Sequence, residues 1–113
     1  MIFLCALAAT GCSKTAVPGS STVIRNCTII DGNGGPPLVK GMVVIDDGKI
    51  WAVGPESKFR LPGSVKQLDA EQGFVLPGLI NTHVHISNTK SMESWTRSGV
   101  TTVRDLGGPL GIV

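Results

Sequence analysis

The segment VLPGLINTHVH, residues 75–85, decides the fold, because it joins a short apolar strand to a strand that carries both histidines of the chain. Pro77-Gly78 ends the first strand, and the β-rich run 79–86 forms the second. Side chains alternate along a strand, so His83 and His85 point to the same side, roughly 6.5 Å apart. Two imidazoles at that spacing can bind one divalent metal ion; two metal-free histidines on an exposed strand are the alternative.

The residues after this strand predict a helix and a further strand. The segment 87–98 has helical character, with Met92 and Trp95 on one face, where packing is a more common role than ligand binding. Gly99 ends that helix. The apolar run 100–106 (VTTVRDL) then predicts a buried strand.

The residues before the decisive segment predict a β-rich body. Residues 22–30 (TVIRNCTII) are rich in β-branched side chains, and the Gly- and Pro-rich stretch 31–37 ends that strand as a loop. Two apolar runs, 40–45 and 49–53, flank Asp46-Asp47-Gly48. That arrangement predicts a hairpin, because glycine accepts the positive φ that the turn requires.

Further expectations concern single residues and connections of this body. Residues 54–64 are punctuated by Gly and Pro and predict a loop with at most one short helical turn, followed by an edge strand over 65–69. We expect Trp51 to cover one face of the hairpin. Cys27 lies in an apolar alternation, which favours a buried packing role over catalysis.

The composition indicates a folded chain without strong charge. The 113 residues are 42% hydrophobic and 16% charged, which excludes a disordered composition. The 15 Gly and 7 Pro favour turns and short strands over long helices. A net charge of +2, scattered basic residues and the absence of Tyr argue against a nucleic-acid partner.

The amino terminus has the pattern of an export signal. The apolar run Ile2 to Ala9 is too short to span a bilayer but has the length of a signal-peptide core. The stretch ATGC, residues 9–12, resembles a bacterial lipobox, in which Cys12 carries the lipid. We therefore expect an exported protein, in the bacterial periplasm or held at a membrane by that lipid. The alternative is a buried strand or helix beginning at Met1.

Three motifs in this order resemble the amidohydrolase superfamily, particularly its imidazolonepropionase-like members. The first is the segment 75–85 itself. The second is the hairpin DGKI at 47–50 with VGP at 53–55, and the third is GVTTVRD at 99–105. The resemblance covers about residues 22–108.

The resemblance implies a metal site. It assigns His83 and His85 to the more buried metal, a divalent cation for which Zn²⁺ is the expected ion. Asn81 departs from the Asp that many members have two residues before the first His. Asp105 stands near the end of the second barrel strand, where active-site groups gather in this fold, with a salt bridge or a loop cap as its alternative role.

The fold class implied by the resemblance is α/β, with a partial β-sandwich followed by the first two strands of an incomplete (β/α)₈ TIM-type barrel. The expected segments are a signal peptide with the lipobox Cys (1–12), a small polar linker (13–21), a partial β-sandwich or composite domain (22–74), and a truncated barrel start (75–113).

The implied function is that of the amino-terminal part of a metal-dependent amidohydrolase. Such an enzyme hydrolyses an amide, cyclic amide or dipeptide C–N bond of a small-molecule or dipeptide substrate with metal-activated water. A complete barrel takes about 250 residues, and the family's other ligands lie on later strands, so we expect this chain alone to be inactive. The alternative is a small exported lipoprotein with a binding or scaffold role and no catalysis.

Overall fold

The computed structural model describes residues 13–107, and strands dominate them, which confirms an α/β chain built mostly from sheets. The elements in chain order are β1 (Thr15–Ala16), β2 (Thr22–Ile29), β3 (Leu38–Asp46), β4 (Lys49–Pro55), a single 3₁₀ turn (Glu56–Lys58), β5 (Phe59–Arg60), β6 (Lys66–Asp69), β7 (Phe74–Val75), β8 (Leu79–Val84), α1 (Thr89–Arg97) and β9 (Val100–Asp105). The chain divides into two compact units, Met1–Val75 (unit 1) and Leu76–Val113 (unit 2).

Unit 1 contains a five-stranded sheet and a small two-stranded sheet. The larger sheet runs β4-β3-β2-β6, and β7 also pairs with β2. The β2–β3 and β3–β4 pairs are antiparallel, whereas β6 and β7 run parallel to β2. β1 and β5 form the small parallel pair. The β-branched residues of β2 suit its place inside the larger sheet, where it is paired along both edges.

The hairpin between β3 and β4 turns at Asp47-Gly48, as the Asp-Gly pair predicts. Asp47 has φ 48° and Gly48 has φ 70°. Two successive residues with positive φ match the twist of a two-residue hairpin, and glycine adopts that conformation without steric cost. The turn therefore fixes the register in which Asp46 faces Lys49.

Two clusters of buried side chains form the core of unit 1. The first joins the two sheets, since Phe59 of the small sheet packs with strand residues of the large one; its members are Val17, Val23, Met42, Val44, Phe59 and Val65. The second comprises Cys27, Ile29 and Val43, with Ile24, Leu38, Ile45, Ala70 and Val75 partly buried around them. Alternating residues of β3 thus enter different clusters, as the period of two along a strand requires.

Two expectations for unit 1 differ from the structure. In the segment 13–21, Thr15–Ala16 pairs with β5, and Val17 and Ser21 are buried, so this stretch belongs to the folded body and is not a free linker. The apolar contact of Val17 with the first cluster outweighs the polar character of its neighbours. Trp51 is 44% exposed and covers the hairpin only in part.

Unit 2 is a strand–helix–strand unit. β8 and β9 pair in parallel, with Leu79 opposite Val100 and Val84 opposite Asp105. Parallel strands need a long crossover, and α1 supplies it. Met92 and Trp95, one turn apart on α1, line a crevice together with Val100 and Val103 of β9, and Met92 is 37% exposed.

Gly78 allows the two strands of unit 2 to approach closely. A Cβ atom built at this position would lie 2.1 Å from Oγ1 of Thr101. No side chain fits there without displacing β9. The Pro-Gly pair in the segment 75–85 therefore ends one strand and also allows the backbone to pass close to β9.

β9 differs from its expected burial. Its residues are exposed or partly buried in the structure, although the sequence predicts a buried strand. Burial depends on what covers a strand, and within residues 76–107 only β8 pairs with it. The apolar run 2–9 and Cys12 lie outside the described residues. Within residues 13–107, no helix is long and apolar enough to cross a membrane.

Candidate metal-binding site

Both histidines lie at the carboxyl end of β8, on the same side of the chain. His83 and His85 are exposed, whereas Val84 between them is only 3% exposed. The two ring centroids are 5.4 Å apart, and the ring planes are tilted by 59°. Alternation along the strand therefore brings the imidazoles together, as their i, i+2 spacing predicts.

Asn81 supports the strand just before the pair. Its side-chain Oδ1 accepts a hydrogen bond of 3.1 Å from the backbone N–H of His83. In the sequence, Asn81 stands out only as a departure from a family pattern, which does not indicate this contact. A recognisable signal exists, because Asn and Asp side chains commonly accept the backbone N–H two residues ahead.

Asp105 lies at the end of β9, opposite Val84 in the parallel register. Its Oδ1 accepts the backbone N–H of Gly107 at 3.1 Å and that of Ile86 at 3.4 Å. The first bond is a loop cap, one of the roles expected for this residue from the sequence. The second bond reaches across to the residue that follows His85, and only the strand register reveals it.

The pair fits a divalent cation as two of its ligands. Neutral imidazole is a common zinc ligand, and both rings are open to solvent on one side of β8. Across residues 13–107, no group of three or more His, Cys, Asp or Glu side chains is placed to hold a metal ion. Catalytic zinc sites usually have three protein ligands, whereas the two imidazoles are the candidate ligands that the described residues bring together.

Cys27 is a core residue of unit 1. It is 2% exposed, and its Sγ donates a hydrogen bond of 3.2 Å to the carbonyl oxygen of Gly41. Burial raises the pKa of this thiol, and the Glu56 carboxylate adds to the effect. A thiol that stays protonated at neutral pH is a poor nucleophile, which agrees with the packing role expected from the sequence.

Open cavities of unit 1 do not involve the histidines. One of about 430 Å³ is lined by residues that include Cys27 and Gln72, and another of about 540 Å³ by residues that include Glu56 and Ser57. Val39 and Lys40 border both. The linings of these cavities bring together no set of groups with a shared chemistry, whereas His83 and His85 place two imidazoles side by side.

Known proteins with similar sequences and structures are hydrolases. The chain is 35% identical to an enamidase of Eubacterium barkeri over 101 aligned residues, which cover 80% of this chain and 26% of the enamidase. It matches the structure of a molinate hydrolase with a TM-score of 0.63 and 32% identity, over 77% of this chain and 24% of the other. A solved amidohydrolase matches with a TM-score of 0.63 and 25% identity, over 79% of this chain and 26% of the other.

These matches cover most of this chain but a small part of each relative. The chain spans about a quarter of the length of the enamidase and of the two solved hydrolases. No protein-family profile matches it. The superfamily to which these relatives point is generally metal-dependent. These matches, together with the strand-rich α/β fold shared with the solved neighbours, indicate the amidohydrolase superfamily over most of this chain.

Proposed function

We propose that this chain carries the first metal ligands of a hydrolase that cleaves C–N bonds in amides, cyclic amides or dipeptides of small size. The observation that carries the proposal is the pair of exposed imidazoles, 5.4 Å apart at the end of β8. Membership of a superfamily whose members hydrolyse C–N bonds supports it, as does the name of the enamidase relative.

The fold supports a more detailed form of this proposal, which assigns each part of the chain to a domain. We propose that residues 22–74 are the partial β-sandwich, or composite domain, and that residues 75–113 begin a (β/α)₈ barrel. Two parallel strands joined by a helix, as in β8-α1-β9, are the repeating unit of such a barrel. His83 and His85 then lie at the carboxyl end of a barrel strand, the face at which these barrels place their active sites.

Each histidine has a defined part in the proposed site. His83 and His85 bind a divalent cation, for which Zn²⁺ is our proposed identity, through neutral ring nitrogens. A bound cation of this kind supplies a Lewis acid and a water of lowered pKa. Because residues 13–107 bring no third ligand to the pair, we propose that the 113-residue polypeptide alone does not turn over substrate.

Metal titration tests the ligand assignment directly. Adding Co²⁺ or Zn²⁺ to the 113-residue chain should shift the ring resonances of both histidines, and His83→Ala should weaken binding by at least about tenfold. Thr82→Ala is the matched control, because Thr82 is exposed on the same strand but alternates to the other side. Equal binding by wild type and His83→Ala would contradict the assignment.

A chimera tests the hydrolase half of the proposal. Replacing the matching quarter of the Eubacterium barkeri enamidase with this chain should give an enzyme whose turnover depends on His83 and His85. The chimera with His83→Ala should lose at least about a hundredfold in turnover, as expected when a metal ligand is removed. Zinc-dependent turnover by the 113-residue chain alone would overturn the proposed inactivity.

Export and lipid attachment at Cys12 are a separate proposal, since that residue lies outside residues 13–107. The apolar run 2–9 and the lipobox-like stretch support it. Mass spectrometry of the mature amino terminus tests it: an unprocessed Met1 in the host would overturn it. No observation favours the alternative of a scaffold without catalysis.

A further inference from the structure

A single carboxylate links the ends of the two strands of unit 2. Asp105 Oδ1 accepts the N–H of Gly107, two residues ahead in its own loop, and the N–H of Ile86, which follows His85 on the other strand. The bonds measure 3.1 Å and 3.4 Å. In the same region, the N–H of Leu106 donates to the carbonyl oxygen of Val84, the residue between the histidines.

The loop that Asp105 holds lies next to a histidine ring. A Cβ atom built on Gly107 would be 3.4 Å from Nδ1 and 3.6 Å from Cε1 of His85, which is contact distance. Gly107 therefore lies beside that ring. Asp105 accepts hydrogen bonds from the backbone of two residues near His85, namely Ile86, which follows it in the chain, and Gly107.

Asp31 makes the local bond without a cross-strand one. Asp31 accepts the N–H of Asn33 at 2.9 Å, and its other acceptor bond comes from the side chain of the same Asn33. Such an i, i+2 bond is an ordinary turn feature. The bond to Ile86 sets Asp105 apart from Asp31, because it spans 19 residues and ends beside His85.

We propose that Asp105 is a positioning residue, which fixes the orientation of the His85 ring by holding Ile86, the next residue in the chain, and Gly107, which lies beside the ring. The inference rests on the proposed function for its purpose, namely presenting His85 to a divalent cation. In metal sites, residues that do not touch the metal commonly orient the side chains that do. Asp105 itself is not assigned a contact with metal or substrate.

The geometric half of the proposal is tested on the metal-free 113-residue chain by NMR. In wild type, the ring Hε1 of His85 should show a cross-peak to the Hα protons of Gly107, and the amides of Ile86 and Gly107 should be protected from exchange. In Asp105→Ala we expect the cross-peak to vanish and the protection of both amides to fall about tenfold. Asp105→Asn keeps an Oδ1 acceptor and should retain the cross-peak.

Two controls separate positioning from general loosening. Asp31→Ala removes the same kind of turn bond in unit 1 and should leave the His85 cross-peak unchanged. The amide shifts of Val100 and Val103 should also stay unchanged in Asp105→Ala. An unaltered cross-peak in Asp105→Ala, or its equal loss in Asp31→Ala, would overturn the proposal. If Asp105→Ala does not fold, loss of the cross-peak in a folded Asp105→Asn would overturn it as well.

The metal half has its own readout. Co²⁺ affinity should fall about 10- to 100-fold in Asp105→Ala, and Asp105→Asn should restore most of it. If wild type binds no Co²⁺ while the NMR effects are as expected, the proposed function fails and the positioning role stands. If wild type binds Co²⁺ and Asp105→Ala binds it equally well, the positioning role fails and the proposed function stands.

Discussion

The two units of the chain differ in what their side chains do. Between residues 13 and 75, nine hydrophobic residues are buried, and Val23 and Val44 are fully enclosed. Between residues 76 and 107, the buried hydrophobic residues are Val84 and Ile86, while Leu79 and Ile80 are 55% and 67% exposed. The histidines belong to the unit with the smaller core.

The contrast indicates that most of the buried core lies in unit 1, whereas the candidate metal ligands lie in unit 2. Burial of apolar area is the main favourable term in folding, so the described part of unit 1 has far more to hold it together. A metal site needs open polar groups, which unit 2 presents on β8. Each unit also contains one tryptophan, Trp51 in unit 1 and Trp95 in unit 2, so the two can be followed separately by fluorescence.

The largest expected effect is on the core of unit 1. Met42 is 2% exposed within the first cluster, so Met42→Ala should lower the free energy of unfolding by about 2–5 kcal/mol. Urea unfolding of a chain carrying Trp95→Phe, in which Trp51 is the remaining tryptophan, measures this change.

Val39→Ala is the matched control for that substitution. Val39 lies on the same strand but is 65% exposed, and its truncation should change the free energy of unfolding by less than about 0.5 kcal/mol. In a Trp51→Phe chain, Met42→Ala should leave the Trp95 transition in place. If the midpoint of the Trp95 transition shifted by the same amount, the two units would unfold together, and the proposed difference in stability between them would be wrong.

A smaller effect is expected in unit 2 from Gly78→Ala. The new Cβ would meet Thr101 at 2.1 Å, so β8 and β9 must separate slightly, at a cost of about 1–3 kcal/mol. The Trp95 transition in urea measures it. Gly63→Ala provides the control, since a Cβ there meets nothing within 4 Å. An unchanged Trp95 midpoint in Gly78→Ala would contradict the close approach of the two strands.

The smallest expected effect is the dependence of the stability of unit 1 on acidic pH, through Asp69. The backbone N–H of Glu71 and the Asn26 side chain lower the pKa of Asp69, and the Arg25 charge acts in the same direction. A lowered folded pKa means that this carboxylate stabilises the fold above its unfolded pKa of about 3.9 and loses that contribution as pH falls through the folded value. Carboxyl ¹³C NMR should therefore show Asp69 titrating below the ordinary range.

Asp69→Asn gives the matching stability measurement. Its urea midpoint should lie slightly below that of wild type at pH 7, and the difference should disappear near pH 2, where the wild-type carboxyl is protonated too. A difference that persists unchanged in acid would assign the effect to geometry and not to charge.

Local signals in the sequence predicted the features that depend on neighbouring residues. The Asp47-Gly48 turn, the strand over Thr22–Ile29 and the helix over Thr89–Arg97 all follow from short-range patterns. The adjacency of His83 and His85 belongs to the same class, because the period of a strand alone puts them on one side.

Features that depend on distant residues were not predictable in this way. The pairing of Thr15–Ala16 with Phe59–Arg60 joins segments more than forty residues apart, and segments of two residues are too short to carry a strand pattern. The exposure of β9 depends on what covers it. The bond from Ile86 to Asp105 needs the register of two parallel strands, and a single sequence does not specify that register.

The buried thiol of Cys27 has a consequence for measuring local opening. Its side chain is 2% exposed, and its Sγ is hydrogen-bonded to Gly41 on β3. An alkylating reagent reacts with this group, as the thiolate, when local opening exposes it further. With Cys5 and Cys12 replaced by serine, the rate of modification becomes an internal measure of how often this part of unit 1 opens, without any added probe.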